Sequence, residues 1–466
     1  MTALQLASLA VLVAMFALTV WRKINLGFIA LPAAYILSLV AGIPGKAFLT
    51  TFPVQLVMLI IGVTLLFGHV DRSGLLEHTI HKAMRHGGQR TWVVAGVCFL
   101  VPAALTAAGA YGPASAAILM PIAYKLSKRA KINYFILGTA TIFGAIGATF
   151  SPVSASGALI KSLAAKSTLH YSTGVLFILP LIGTAVITIV TLIVVQLRES
   201  RATVRGAATA EMARADVTDD EPLLVNAAAG SAQRPDIAGA ASRPVTRHGA
   251  TGGADTDTYA PPGRATSRLS AYAIACLCGV VGMLVAVFGF NLDVGFVSLS
   301  VSLLLFLVFR PPERTLINAI PWQVVFLISG LVMYIGVLES IGTLGAMARV
   351  LSGIGTPVLT LLVLAYLCAM MSNIESAAIL VLGILVPVAL AVFGGSPVAL
   401  VAALIVVALC AAAPALNPTH IGGALILASD DPTRETSTFK KLLWHAIVTT
   451  LVVPGLATLI AIPFVT

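Results

Sequence analysis

The sequence predicts an all-α integral membrane fold: two inverted repeats, each of five transmembrane helices plus one re-entrant hairpin, with discontinuous helices at the midplane. Three observations carry this expectation. Hydrophobic residues make up 58% of the 466-residue chain and charged residues only 10%, whereas a soluble domain has roughly a quarter charged. Apolar runs of about 18 residues or more recur along both ends of the chain, and in hydrocarbon such runs must be helices because every backbone polar group needs an internal partner. The runs also form two sets that align on each other.

In the first set, spans are expected near residues 3–21, 25–42 and 53–70. The first has no basic residue before it and Arg22 and Lys23 after it, the reverse of a cleavable signal peptide, so it should stay as a spanning helix. The run from Trp92 to Leu126 is broken by AGAYGP. Its arms are shorter than the roughly 20 residues needed to cross, which fits a re-entrant hairpin. A run over 134–165, interrupted by SPVSASG, and a helix over 173–196 complete the set. Residues 197–268 then turn polar and rich in Ala, Gly, Pro, Ser and Thr, the composition of a disordered cytoplasmic linker. Its DDEPLL stretch reads either as a docking motif or, more simply, as a solvated acidic patch.

The second set repeats the programme: spans near 271–290, 293–309 and 321–338, a broken run over 357–391, an interrupted run over 397–428 and a last helix over 442–464. FPVQLVMLIIGVTLLFG from Phe52 aligns without gaps on IPWQVVFLISGLVMYIG from Ile320. SAAIL occurs at Ser115 and Ser376, and SPVSASGALI from Ser151 aligns on NPTHIGGALI from Asn417. Three blocks in one order, at offsets of 268, 261 and 266, mark a duplication. The chain thus divides into a first repeat, 1–196, the linker, 197–268, and a second repeat, 269–466.

The net charge of +10 resides in short loops between apolar runs, so it reads as a topology signal and not as a nucleic-acid surface. With the N-terminus outside, the inner loops carry basic clusters at Arg22–Lys23, Arg72–Arg90, Lys125–Lys131, Arg310–Arg314 and Arg434–Lys441. Outside lie only Lys46, Lys161, Lys166 and Arg349. Both termini are then outside and the linker is cytoplasmic. An odd number of crossings per half inverts the second half relative to the first, a design of secondary transporters. The five cysteines fall in apolar runs with no metal-ligand spacing and are assigned to packing. No enzyme activity and no cofactor are expected, apart from Na+ as a coupling ion.

Irregular backbone at membrane depth is tolerated only where it is buried in protein or lines a cavity. AGAYGP, SPVSASG, MSNIES and ALNPTH are therefore expected to meet in one site, where helix N-termini offer N–H donors to an anion. The substrate-binding candidates are Gly112, Pro113, Ser115, Ser151, Pro152, Ser154, Ser372, Asn373, Ile374, Asn417, Pro418 and Thr419. No Lys or Arg lies at these breaks, which favours a co-bound cation. Glu375 and His420, with Ser372 and Asn373, are the candidates for ion coupling, since an ionisable group inside the membrane points to function. Small residues such as Ser115, Ser151, Ser154 and Ser156 equally suit close helix packing, and Glu375 can instead pair with a neighbour and only shape the site. Asp71 and Glu339 end the third helix of each half, where interfacial capping is expected.

KINLGFIALPAAYILSLVAG, FPVQLVMLIIGVTLLFGHVDRSG, GPASAAILMPIA and FSPVS together resemble the N-terminal region of MatC-type malonate/dicarboxylate carriers of the ion-transporter superfamily, over most of residues 20–160. In related divalent-anion/sodium symporters a Ser-Asn-Thr motif at each hairpin tip binds substrate carboxylate and sodium. The second tip is similar to it as Ser372, Asn373 and Ile374, and the first has Tyr111, Gly112 and Pro113 at the corresponding places. Pro152 and Pro418 match the family's helix breaks. The resemblance implies a homodimer in a bacterial inner membrane that imports a small dicarboxylate, malonate-like, with Na+ or H+ by an elevator-like motion. A cation/proton antiporter using Glu375 and His420, or the membrane subunit of a binding-protein-dependent system, are the other readings.

Overall fold

The computed structural model describes residues 1–22, 24–75, 78, 90–164, 172–216, 270–353, 355–374 and 378–465. Lys23, Lys82, Arg85, Lys166, Glu375, Ser376 and the linker from 217 onward, including DDEPLL, lie outside the described residues. The described chain is helical with no strand. Eight of its helical segments are long and apolar enough to cross a membrane, and five shorter apolar helices accompany them.

The first half comprises α1 (Ala3–Arg22), α2 (Leu26–Val40), α3 (Gly45–Leu49), α4 (Val54–Arg72), α5 (Thr91–Ala107), α6 (Gly112–Ala130), α7 (Tyr134–Gly147), α8 (Ala155–Ala164) and α9 (Thr173–Asp216). The second comprises α10 (Ala271–Phe290), α11 (Val294–Phe309), α12 (Glu313–Asn318), α13 (Trp322–Ser340), α14 (Thr343–Ser352), α15 (Pro357–Ile374), α16 (Ala378–Phe393), α17 (Pro397–Ala412), α18 (Ile421–Ser429) and α19 (Glu435–Val465). By contact density the chain forms two units, Met1–Ile193 with Thr266–Thr466, and Val194–Ala265. Each expected apolar run is a helix or a pair of helices. Helix α9 runs to Asp216, past the end of its apolar stretch at 196, and α3, α12 and the amphipathic α14 lie between the runs.

Local chemistry repeats with the sequence blocks. Asn25 caps α2 by accepting from Gly27 N at 2.8 Å, and Asp293, the matching residue, caps α11 by accepting from Gly295 N at 2.9 Å. Such caps satisfy N–H groups that the first helical turn leaves orphaned. Pro53 and Pro321 precede α4 and α13 with nearly the same backbone, φ −82° and ψ 66° against φ −77° and ψ 73°.

Packing between the halves exchanges matched elements. Helix α2 packs on α13, and α11 packs on α4. Gly27 and Gly330 make the first contact and Gly295 and Gly62 the second, each glycine lying so close to the opposing backbone that a Cβ would overlap it. Gly27 matches Gly295 and Gly62 matches Gly330 at the offset of 268. Glycine serves here because small residues let helix backbones approach where lipid supplies no hydrophobic drive. The exchange recurs deeper in the protein: α8 packs on α16, and α18 packs on α6. Helix α7 is buried along its whole length, whereas α10 buries only Ala273, Cys276 and Met283, as a helix facing lipid would.

Candidate functional site

Both halves build their broken helices alike. After α7 the chain makes a 3-10 turn, Ala148–Phe150, and after α17 another, Ala413–Leu416. Ser151 N donates to Ala148 O at 3.1 Å and Ser154 N to Ser151 O at 2.9 Å. The matched bonds run from Asn417 N to Pro414 O and from His420 N to Asn417 O, both 2.8 Å. Gly157 and Gly423 lie against the carbonyls of Ser151 and Asn417, where a side chain would collide. Pro152 is half-buried and Pro418 buried at these breaks. Helices α8 and α18 therefore start inside the protein, with their N-termini at the breaks.

Each break is tied to the hairpin tip of its own half. Ser151 Oγ donates to Ala107 O at 2.6 Å, and Asn417 Nδ2 donates to Asn373 O at 3.3 Å. These are the same bond in the two halves, since Ala107 and Asn373 are separated by the offset of 266 that relates Ser151 to Asn417. The structural counterparts of Ser372 and Asn373 are thus Thr106 and Ala107, ahead of Tyr111, Gly112 and Pro113. The reason is that eight positions of sequence separate Ala107 from Ser115 and only three separate Asn373 from Ser376. Gly109, at φ +114°, lies in the longer stretch, and a Cβ there would stand 3.0 Å from Val153 O. Gly112 packs on Thr149, Pro113 is half-buried, and Ser115 is buried with its hydroxyl unpartnered among the described residues, as is that of Thr106. Ser154 and Ser156 are buried in the first break.

The second half carries more side-chain bonds at its break than the first, where Val153 N donates to Ser151 Oγ at 3.5 Å. Asn417 Nδ2 also donates to Asn373 Oδ1 at 2.9 Å. Asn373 Nδ2 donates to Ala369 O at 2.9 Å and to Thr450 Oγ1 on α19 at 2.6 Å. Asn417 Oδ1 accepts from Thr419 N at 3.1 Å and Thr419 Oγ1 at 3.0 Å. Thr419 is exposed. Ser372 is turned away, donating to Ala411 O at 2.7 Å, and Ile374 is exposed. His420 caps α18 by accepting from Gly422 N through Nδ1 at 3.2 Å, so its proton resides on Nε2, buried and unpartnered among the described residues. Glu375 lies outside them.

The arrangement thus offers two buried helix N-termini, hydroxyls, amides and carbonyls, the groups that hold an anion and a hard cation in discontinuous-helix sites. No trio of His, Cys, Asp or Glu gathers as a metal site among the described residues. Thr450 and Thr106 are the polar residues that sequence reasoning missed. Subtracting the offset of 266 from Ser372 would have found Thr106, but only the packing of α19 on α15 brings in Thr450.

A sequence model described as "CitMHS: Citrate transporter" matches residues 16–406. The chain belongs to the CitMHS citrate transporter family. No curated protein matches the sequence. Membership in the CitMHS family makes the chain a multi-pass membrane protein and a secondary transporter of carboxylates. The malonate-type subgroup is a finer assignment than this match makes.

Proposed function

We propose that this CitMHS protein imports a small di- or tricarboxylate, malonate-like or citrate-like, in symport with H+ or Na+. The observation that carries the reading is the bond from break to tip that recurs in both halves, Ser151 to Ala107 O and Asn417 to Asn373 O. Two short helices begin beside those bonds, so two positive dipole ends and their N–H donors are available to carboxylates. Thr419, exposed beside the Asn417 amide, is the side-chain donor nearest to solvent at the second break. A carboxylate can accept a hydrogen bond from the Thr419 hydroxyl, which then leaves Asn417 Oδ1, while the Thr419 backbone N–H still satisfies that oxygen.

His420 supports proton coupling: protonating Nδ1 would break its cap on Gly422 N, so a proton there alters the start of α18. Carbonyl and amide oxygens at the breaks suit Na+ instead. The duplicated blocks, the exchanged glycine contacts and the loop charges support an inverted second half with both termini outside a bacterial inner membrane. A homodimer working as an elevator follows from the resemblance.

The test is uptake of radiolabelled citrate and malonate by proteoliposomes under an inward proton gradient, a sodium gradient and neither. Uptake of at least one acid, accelerated by one gradient, is expected. No uptake of either acid under any gradient would sink the assignment.

A further inference from the structure

The hydroxyl of Thr450 fixes how two asparagines on other elements are turned. It donates its one proton to Ala446 O at 2.7 Å, so toward Asn373, 2.6 Å away, it can only accept. The group facing it must be the Asn373 NH2, whose second N–H goes to Ala369 O. Asn373 Oδ1 then faces Asn417, which must present its own NH2, and that NH2 is used on Asn373 Oδ1 and Asn373 O. All four amide N–H donors are spent inside the protein. What remains is Asn417 Oδ1, an acceptor, holding Thr419 N and Oγ1.

We propose that Thr450 is a positioning residue for carboxylate binding: through Asn373 and Asn417 it holds Thr419 in place by its backbone N–H, while the Thr419 hydroxyl turns from Asn417 Oδ1 to donate to the substrate. The inference rests on the reading of the second break as a carboxylate site. Thr450 lies on α19 and Thr419 just ahead of α18, so its effect travels through one tip residue, Asn373, and one break residue, Asn417. Without the Thr450 hydroxyl, one Asn373 N–H loses its acceptor and Ala369 O alone holds the amide's orientation. Asn417 is then held less firmly, and Thr419, anchored on Asn417 Oδ1, is displaced with it.

The experiment measures KM and Vmax for citrate and malonate uptake by the full-length protein in proteoliposomes. Thr450→Val is expected to raise KM roughly three- to tenfold, the weight of one neutral hydrogen bond, with Vmax changed less than twofold. Thr450→Ser, which keeps the hydroxyl, should restore the wild-type KM. In a Thr419→Val background the Thr450→Val change should alter KM less than twofold, because the group it positions is gone. An unchanged KM in Thr450→Val, a Thr450→Ser variant as impaired as the valine one, or additive effects in the double variant would each overturn the proposal. Should the valine variant not accumulate, Thr450→Cys is read in its place against the same limits. Wild-type protein that moves no carboxylate would sink the substrate reading and this proposal with it, whereas wild-type uptake with an unaltered Thr450→Val sinks this proposal alone.

Discussion

Gly330 on α13 faces Gly27 on α2 so closely that a Cβ at Gly330 would stand 2.7 Å from the Gly27 carbonyl oxygen and 2.9 Å from its Cα. Backbone, not a flexible side chain, occupies that space, so an added methyl can be admitted only by separating the helices. Gly330→Ala is expected to destabilise the protein by about 1–3 kcal/mol, the usual cost of overpacking. The same change at Gly96 or Gly282, where a Cβ would meet nothing within 4 Å, should cost nothing measurable. Thermal unfolding in detergent, followed by intrinsic fluorescence, separates the two classes.

The tip-to-break bonds differ in weight between the halves. Ser151→Ala removes the hydroxyl bond to Ala107 O and a long one accepted from Val153 N at 3.5 Å, whereas Asn417→Ala removes two donated bonds and the acceptor for both Thr419 N and Thr419 Oγ1. At about 1 kcal/mol net per bond, with a further penalty for each buried group left unpaired, Asn417→Ala should lower uptake efficiency roughly a hundredfold and Ser151→Ala roughly tenfold. Initial rates at low substrate concentration measure both. Equal losses in the two variants would contradict the asymmetry.

His420 combines a cap with a titratable ring, and substitution can part them. Asparagine is also a good N-cap but does not titrate. His420→Asn is therefore expected to fold and bind substrate while losing acceleration by a proton gradient. Uptake with and without an imposed pH gradient checks this, and a variant that still responds fully to the gradient removes His420 from coupling.

Asp431, between α18 and α19, is held below the ordinary carboxylate value of 3.8 first by the Thr433 hydroxyl and then by the Thr433 backbone N–H, while burial opposes the shift slightly. Lys128 at the end of α6, 3.8 Å away, adds a smaller pull in the same direction. A depressed folded-state pKa gives stability that is present above the unfolded value and is lost as pH falls through the lowered one. Wild type should thus melt above Asp431→Asn at pH 7, and the gap should close below about pH 4. Melting curves of both proteins across that range test the sign; a gap that widens in acid would refute it.

Much of the architecture was legible in the sequence because lipid leaves the backbone few choices. Apolar length located the helices, and the helix breaks stood out as Pro, Asn and Ser within apolar runs. The duplication showed which break corresponds to which. Composition alone did not mark α14 or the helical part of α9 beyond residue 196, since amphipathic and polar helices carry no long apolar run.

An all-helical membrane protein with two matched halves, four helix breaks and no lysine or arginine at those breaks could be read from the residues alone. Which groups meet depends on packing. It matched Ala107, and not Tyr111 to Pro113, with the Asn373 position, because hydrogen bonding and not letter similarity aligns stretches of unequal length. It paired Gly27 with Gly330 and Gly62 with Gly295 across the halves, and it joined Thr450 to Asn373 from a helix 77 residues further along the chain. Such contacts depend on how helices pack around one another, and a helix records in its own sequence which face is apolar but not which neighbour will cover it.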